Sequence, residues 1–531
     1  MTEAEKLEFM ETFEIEIKNF FTSISNHVQK HPELIEVLLN YRIQTKSMLL
    51  NNLSKIKKSI AQLNDPLINE KFEKMKLNRE NISKLMSLNT DEYTAALSEV
   101  DALKKEADQI EKEISARVSQ KNFSGYQKLT WKDIQKQLLP NECAIEIVRT
   151  NQIYINDSAG TNYSFIILKS TGYPVMLMMD RPITWEEEVL SLYRKSINDR
   201  KDEPDLYRRL WKGIKEKAGT ATTVYLSSDG IYNQVNLNTL YNSETKKYLI
   251  EEINIHGLSS LRDINELKIK PLHIPSNVAL IGNPVFNYDL SKLPENKKNF
   301  GNDLAVRGGF GFVLDQLPGT KTEIETIKTQ LEKGSVNTTA LTEEKANESN
   351  VKKIKNPDVL HFATHGFFLE DLPEATLAQL SKTERSFYGN PMMRSGVFLS
   401  GANNTYSLNT INIDHIADFE DGTLTAYEVM NLDLDKTELV VLSACETGLG
   451  KVKNGEGVFG LQRAFKLAGA KSVIMSLWSV SDAATMELMI NFYKRWMNTG
   501  DLYGSFKEAQ LDVKKKYPEP YYWGAFVLNG R

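Results

Sequence analysis

Residues 1 to 120 carry apolar side chains at helical spacing, three and four positions apart. One stripe consists of Leu49, Leu53, Ile56, Ile60 and Leu63, and a second of Leu97, Val100, Leu103, Ala107, Ile110 and Ile114. Lysine and glutamate fill the other faces, as in amphipathic helices. The segment "LNDPLIN" at 63–69 interrupts the first pattern. Residues 1–125 are therefore predicted to form a helical hairpin or bundle. A partner-binding coiled coil is the alternative.

Beyond residue 130 the pattern changes to short apolar runs. "CAIEIV", "SFIIL" and "VMLMM" precede a helical stretch at 185–218, and "TTVYL" follows it. Strands mixed with helices predict a first α/β unit over 130–270.

The remaining chain, 271–531, predicts a second α/β unit. Its apolar runs lie at 277–282, 359–363, 439–444 and 472–478, and its helical stretches at 320–332, 343–355, 457–468 and 481–497. Strands without polar alternation, separated by helices, indicate a largely parallel sheet covered on both faces. Two long loops are expected, at 284–317 and 367–425, and loops of this length are typically functional or mobile.

The composition argues against several classes of function. With a net charge of −5 and a pI near 6.0, the chain has no overall positive potential that would attract nucleic acid or anionic lipid. The start "MTEAEKLEF" has no apolar core of a secretory signal, and no run approaches the ~18 apolar residues of a membrane span. Two cysteines far apart indicate neither a disulfide framework nor a cysteine-rich zinc site. We expect a cytoplasmic protein with no metal, no cofactor, no membrane contact and no direct contact with nucleic acid.

Candidate chemistry lies at two strand ends. His365 follows the run "VLHFA", and Cys445 follows "LVVLSA". Ligands of open parallel sheets bind beyond the carboxyl ends of the strands. A thiolate is a nucleophile that a neighbouring imidazole can activate, and backbone N–H groups of Gly366 and Cys445 could hold a developing oxyanion. Gly366 and Gly448 would let backbone approach a substrate closely.

Residue types alone do not decide between this site and ordinary packing. A buried cysteine at a strand end is commonly inert, and a single histidine is commonly a core residue. His361 serves as an internal comparison, because it lies within the strand, and we expect it to pack or to hydrogen-bond locally.

The two motifs carry a family resemblance. "HFATHGFF" and "LSACETGLG" resemble the hallmark motifs of the CHAT family, caspase-like cysteine peptidases related to separase and caspases. Similar stretches occur in family order over roughly 130–531, among them "LPGTKTEIETI", "NPMMRSGVFLSGAN", "DGTLTAYEVMNLDL", "GEGVFGLQRAFKLAGAKSVIMSLWSVSD" and "YYWGAFVLNG". The resemblance implies an α/β caspase-like fold and a catalytic dyad of His365 and Cys445.

The resemblance also bears on the rest of the chain. It implies that 130–270 is a degenerate caspase-like half, as in separase, and 271–531 the catalytic half. The first half contains His256-Gly257, but its cysteine, Cys143, lies at its very beginning. In relatives, such N-terminal helices often follow tetratricopeptide repeats. No clear repeat of that kind is visible, so the chain is either naturally short or a fragment.

Two acidic residues are candidates for substrate binding. Asp482 follows the strand at 472–478, and the resemblance to separase-like peptidases implies a pocket for a basic P1 side chain there. The alternative role is a helix cap, because "SVSD" precedes the run "AATMELMINFY". Glu446 is a weaker candidate, because its charge would oppose thiolate formation unless it turned away.

One motif is rejected. "GEGVFG" at 455–460 matches GxGxxG, but "ETGLGKVKN" separates it from the preceding strand. A dinucleotide site needs that motif immediately after a strand. A flexible active-site loop that leads into a helix is expected instead.

The sequence thus predicts a bacterial cysteine endopeptidase of the CHAT type that cleaves a protein partner in signalling or defence. We expect an activating protein or complex to bind the N-terminal helices. The alternative is a catalytically latent caspase-like scaffold in a signalling complex, and an acyl transferase is a more remote one.

Overall fold

The computed structural model describes residues 16, 19–25, 27–46, 60, 63, 65–86, 90–120, 129–153, 159–269, 273–287, 313–369, 376, 379, 390–405, 420–444, 447–448, 451–453 and 457–530. Its strands are β1 Glu142–Ile153, β2 Ala159–Lys169, β3 Val175–Pro182, β4 Thr223–Ser227, β5 Tyr241–Asn242, β6 Lys247–Tyr248, β7 Asn254–Leu258, β8 Asn277–Gly282, β9 Asn337–Thr342, β10 Val359–Ala363, β11 Gly366–Phe368, β12 Ser395–Phe398, β13 Thr423–Thr425, β14 Leu439–Ser443, β15 Lys451–Lys453, β16 Gly457–Phe459, β17 Ser472–Ser476 and β18 Phe526–Gly530.

The helices alternate with these strands through most of the chain. They are α1 Leu34–Thr45, α2 Pro66–Met86, α3 Thr90–Gln120, α4 Trp131–Gln135, α5 Trp185–Asp199, α6 Pro204–Tyr207, α7 Gly213–Ala218, α8 Leu249–Glu252, α9 Asp263–Ile269, α10 Pro318–Lys333, α11 Glu348–Lys352, α12 Ala402–Thr405, α13 Ala426–Val429, α14 Leu461–Ala468, α15 Asp482–Thr499, α16 Leu502–Lys516 and α17 Pro520–Trp523. Among the described helices, none is both long enough and apolar enough to cross a bilayer.

Both α/β units contribute to one sheet. Within the described residues it has eleven strands, in the order β3-β2-β1-β4-β7-β18-β17-β14-β10-β8-β9. Its neighbours pair in parallel except for β3–β2, β2–β1 and β18–β17. The predicted fold class, a largely parallel sheet flanked by helices and preceded by N-terminal helices, is confirmed.

The central strands are buried on both faces, which explains their continuous apolar sequence. In β10, Val359 and Ala363 pack with α10, α15 and α16, whereas Leu360 and Phe362 pack with α13 and α14 on the opposite face. This alternation follows from the two-residue period of a strand. The core therefore holds β10 rigidly, and with it the start of the segment that contains His365.

Strand direction reverses between the two halves. β18 runs parallel to β7 but antiparallel to β17. The parallel strands β1, β4 and β7 therefore point opposite to β17, β14, β10 and β8. The carboxyl ends of the two groups of strands therefore lie at opposite ends of the sheet. A site beyond the strand ends of one half would lie far from the corresponding position in the other half.

The helix α1 packs on the first half. Leu38, Leu39 and Ile43 join an apolar core with residues of β1 and β2. Beneath this helix Arg42 Nη2 lies 2.9 Å from Asp229 Oδ2, and Lys46 Nζ lies 2.7 Å from Glu146 Oε1. All four side chains are buried. Two cations face two carboxylates, so the network is balanced in charge.

The helices α2 and α3 form the predicted helical hairpin. Ile68 and Met75 of α2 share a small core with Ala107, Ile110 and Ile114 of α3. The second half of α2 also contacts α13 of the other α/β unit. The stripe from Leu49 to Ile56 lies outside the described residues.

Three segments differ from expectation. The expected loop 367–425 contains β12, β13 and most of β11, which form a second sheet in the order β11-β12-β13. The stretch 457–468 begins with β16, which pairs with β15, so the helix starts only at Leu461. The stretch 343–355 contains a 3-10 turn at Glu343–Lys345 followed by the short helix α11. These strands have three or four residues, too few for a period to be visible in the sequence.

Candidate active site

The register of two parallel strands brings the segments that precede His365 and Cys445 to the same end of the sheet. Ala363 at the end of β10 lies beside Ser443 at the end of β14. His365 and Cys445 each follow two residues later. Cys445 and Glu446 themselves lie outside the described residues, whereas the residues on both sides of them are described.

The ring of His365 is held by one hydrogen bond and one aromatic contact. Its Nε2 lies 2.8 Å from the carbonyl oxygen of Asp315, and its centroid lies 5.4 Å from that of Phe286. A carbonyl oxygen only accepts, so Nε2 must carry a proton. In the neutral ring Nδ1 is then the acceptor. The Asp315 carbonyl therefore selects the neutral tautomer of His365 that has its proton on Nε2 and its lone pair on Nδ1.

The small sheet fixes the backbone after His365. Phe398 N donates to the carbonyl oxygen of His365 at 2.9 Å, and Leu369 N donates to that of Arg394 at 2.8 Å. Hydrogen-bonded positions alternate along an antiparallel pair, so Gly366 occupies a position that does not bond to β12. Its N–H therefore points to the other side of β11, where no further strand of this sheet occurs among the described residues.

The backbone around the cysteine position is tied to β17. Ser476 Oγ donates to the carbonyl oxygen of Ala444 at 2.6 Å, and Gly448 N donates to that of Ser476 at 2.7 Å. Thr447 Oγ1 also donates to Ala444 at 3.2 Å. A Cβ on Gly448 would lie 2.8 Å from the Ser476 oxygen. Gly448 is thus required for close contact with β17, whereas the sequence suggested close contact with a substrate.

Asp482 is the first residue of α15, and Ser481 holds the cap position. Its Oδ2 accepts a hydrogen bond of 2.8 Å from Gly319 N, in the first turn of α10. The carboxylate thus lies at the positive end of another helix, a favourable place for negative charge. Asp315, which contacts His365, and Gly319, which contacts Asp482, belong to the same short segment, so both side chains lie along it.

A sequence model described as "CHAT domain" matches residues 202–531. The chain belongs to the CHAT domain family. Tetratricopeptide repeat protein 28 of Homo sapiens is 37% identical to this CHAT protein over 109 residues, which is 20% of this chain and 4% of that protein. The chain therefore spans a small part of the curated relatives that it matches.

Two solved structures are similar to this CHAT protein. The separase–securin complex of Saccharomyces cerevisiae matches with a TM-score of 0.42 and 10% identity, over 84% of this chain and 32% of that one. The Arg-specific cysteine proteinase gingipain R matches with a TM-score of 0.34 and 10% identity, over 65% of this chain and 74% of that one.

His361 of this CHAT protein is a core residue. Its Nε2 lies 2.9 Å from Glu323 Oε1 and its Nδ1 lies 3.1 Å from the hydroxyl of Tyr493. All three side chains are buried, and burial raises the pKa of Tyr493 well above its usual value. The hydrogen bonds join β10 to α10 and α15, so His361 has a structural role, although its partners are distant in sequence.

The His-Gly pair and the cysteine of the first half do not reach this edge. His256 lies on β7, stacked on Tyr503 with centroids 4.2 Å apart, and burial lowers its pKa to about 4. Burial likewise raises the pKa of the Cys143 thiol to about 12, which keeps it protonated. Cys143 lies at the amino end of β1, so neither its place nor its chemistry suits a nucleophile.

The sequence did not indicate Asp315. A backbone carbonyl leaves no residue-type signal, and the segment before α10 was expected to belong to a long loop. No group of three or more His, Cys, Asp or Glu residues that could hold a metal ion occurs in the described part of the chain. The GxGxxG match has Gly457 at the start of strand β16, with the helix four residues later.

Proposed function

We propose that the protein is a cysteine endopeptidase with a dyad of His365 and Cys445. The observation that carries the proposal is the hydrogen bond from His365 Nε2 to the Asp315 carbonyl, which leaves Nδ1 as the proton acceptor. The pairing of β10 with β14 supports it, because both residues follow neighbouring parallel strands by two positions.

In the proposed reaction, the thiol proton of Cys445 moves to Nδ1 of His365, and the thiolate attacks the peptide carbonyl carbon. The N–H groups of Gly366 and Cys445 bind the oxyanion. The imidazolium then returns its proton to the leaving amine, the C–N bond breaks, and a thioester remains. Water, deprotonated by His365, hydrolyses the thioester and regenerates the thiol.

Substrate recognition is assigned to Asp482, with Glu446 as a further candidate. Asp482 is half-buried, and it lies on the same segment as the contact of His365. A carboxylate there would favour Arg or Lys at P1, with Arg offering a planar fork for bidentate pairing. Its bond to Gly319 uses one oxygen, so the other lone pairs remain for a substrate cation.

The substrate is a protein, and the setting is the cytoplasm of a bacterium, in signalling or defence. A partner protein regulates the enzyme through the N-terminal helices, which contact both α/β units. A latent scaffold of the same family is the second candidate function. The oriented imidazole favours the enzyme, because a scaffold has no need of a defined tautomer at His365.

The test is a comparison of new protein N-termini. A bacterial lysate is incubated with the protein or with its Cys445→Ala variant, and neo-N-termini are identified by mass spectrometry. New termini that depend on Cys445 support the peptidase. If the two samples contain the same termini, with and without the native partner proteins, the scaffold function replaces it.

A further inference from the structure

The α2–α3 hairpin meets the second α/β unit at a buried charge cluster. Lys352 Nζ lies 2.6 Å from Glu80 Oε1 on α2, 3.1 Å from Glu348 Oε2, and 3.1 Å from Glu428 Oε1 on α13. Glu348 and Glu428 are buried. Undocking of α2 would remove Glu80 from Lys352 but would leave Glu348 and Glu428 beside it. The contact of Glu80 with Lys352 therefore links the hairpin to the second α/β unit as one contact among several.

A second contact lies one helical turn further along α2. Ser83 Oγ lies 3.1 Å from Thr425 Oγ1, and both residues are buried. Thr425 Oγ1 donates its only proton to Glu428 Oε2 at 2.8 Å, so Ser83 must be the donor to Thr425. Glu428 N donates in turn to Thr425 Oγ1 at 3.3 Å, which completes a capping box for α13.

Thr425 also ends β13, and this sheet continues to His365. Thr425 pairs with Gly396 of β12, and Gly396 pairs with Phe367 of β11. Phe367 is two residues beyond His365. A Cβ on Gly396 would lie 2.6 Å from the Phe367 ring and 2.7 Å from the carbonyl oxygen of Leu424. Gly396 is closely packed between Phe367 of β11 and Leu424 of β13, so a shift of β13 would be felt by β11 at this position.

We propose that the α2–α3 hairpin is a regulatory element that positions His365 through the contact between Ser83 and Thr425 and the sheet β13-β12-β11. The inference rests on the proposed peptidase function. With the hairpin docked, His365 keeps Nε2 on the Asp315 carbonyl and Nδ1 in place for the thiol. A partner protein that moves the hairpin changes turnover at this site without contacting it.

The test uses matched double variants of the full chain. Glu80→Gln with Ser83→Ala removes the charge of the first contact and the donor of the second, while it leaves the catalytic half unchanged. Glu73→Gln with Ser98→Ala makes the same chemical changes at exposed positions of the same hairpin. Three quantities are measured: amide hydrogen exchange of peptides that cover 366–369, the rate at which iodoacetamide alkylates Cys445 near neutral pH, and kcat and KM for a cleaved peptide.

We expect the Glu80/Ser83 variant to exchange the β11 amides several-fold faster than the control. We expect slower alkylation of Cys445, and a kcat about tenfold lower at unchanged KM, because misplacement of a catalytic group reduces the rate of chemistry. If fast exchange across all of α2 shows that the hairpin has unfolded, the single variant Ser83→Ala is used instead. We then expect changes in exchange, alkylation and kcat in the same directions but of smaller magnitude.

The outcomes separate the two claims. Normal cleavage with β11 exchange and kcat equal to the control overturns the coupling and leaves the peptidase intact. Faster β11 exchange and altered Cys445 alkylation, with no cleavage by any form, supports the coupling and overturns the peptidase. Faster exchange with unchanged alkylation and kcat overturns the regulatory role, because the hairpin would then support only the fold.

Discussion

His365 Nε2 donates to the backbone carbonyl oxygen of Asp315 at 2.8 Å. This contact joins the end of β10 to the segment that leads into α10, and it orients the imidazole without a third catalytic side chain. The same segment carries Gly319, whose N–H binds Asp482. The proposed catalytic residue His365 and the proposed specificity residue Asp482 thus both contact the five consecutive residues 315–319.

Replacing either member of the dyad should abolish peptide cleavage without unfolding the protein. We expect Cys445→Ala and His365→Ala each to lower kcat/KM by about 10⁴-fold, because a nucleophile and its base act as a unit. Cys143→Ser should leave cleavage nearly intact, because the raised pKa of Cys143 keeps that buried thiol protonated. Cleavage kinetics and thermal melting of all four proteins test this. Equal activity of Cys445→Ala and the parent would exclude Cys445 as the nucleophile.

Asp482→Asn should weaken a preference for basic P1 residues and keep the fold. Asparagine retains a carbonyl oxygen for the N–H of Gly319, whereas it loses the charge that would pair with Arg or Lys. We expect discrimination between P1 Arg and an uncharged P1 to fall by about 10- to 100-fold, as for a lost buried ion pair. A P1-varied peptide library run on both proteins measures it. If both proteins had the same P1 profile, Asp482 would have no role in specificity, and its contact with α10 would serve only the fold.

Arg42→Met should destabilise the first half by about 3–5 kcal/mol, because it removes a buried cation that contacts both Asp229 and Glu146. Arg42 lies on the buried face of α1, with its Nη2 2.9 Å from Asp229 Oδ2. Denaturant unfolding compares it with Lys71→Met, which removes a partly exposed pair with Glu113 on the hairpin. The Lys71→Met variant should unfold at the same denaturant concentration as the parent. Equal midpoints for both variants would contradict a structural role for the buried network.

The charge cluster at Lys352 predicts a dependence of stability on pH. Burial raises the pKa of Glu348 to about 8, with Glu428 and Asp421 acting in the same direction and Lys352 opposing them. An unfolded glutamate ionises near pH ~4.3. The folded pKa is the higher one, so this contribution to stability is complete below the unfolded pKa and is lost as pH rises through about 8.

The Glu348→Gln variant should lack this dependence of the unfolding free energy on pH, whether or not its overall stability differs from that of the parent. The free energy of unfolding of the parent should fall relative to the variant between pH 5 and 8, at up to about 1.4 kcal/mol per pH unit. Melting curves of both proteins across this range measure the difference. Parallel pH profiles would mean that Glu348 is ionised in the folded protein throughout.

The sequence predicted the strands of the second half closely, for a physical reason. β8 and β10 are buried on both faces, so all their positions except Asn277 and His361 are apolar. The closeness of the segments at 365 and 445 followed from parallel strands whose carboxyl ends share one edge. His361 could be set apart from His365 because it lies within the strand.

Other features depend on contacts that no single segment encodes. The strands β11–β13 are too short for a visible period, and Gly396 is required only because Phe367 packs against it. The partner of Asp482 is the first turn of α10, which is distant in sequence. The opposite direction of the two halves follows from the antiparallel pairing of β18 with β17, and nothing in the apolar run of β18 distinguishes it from a parallel strand.

The most direct measurement is covalent labelling with a peptidyl acyloxymethyl ketone that carries Arg at P1. The thiolate forms a thioether with the methylene carbon of this reagent and displaces its carboxylate, so the adduct records the nucleophile itself. Mass spectrometry of the labelled protein should locate one adduct on Cys445, and His365→Ala should lower the labelling rate at least about 100-fold through loss of the base. Labelling on Cys143, or labelling of Cys445 at the same rate in His365→Ala, would contradict the proposed dyad.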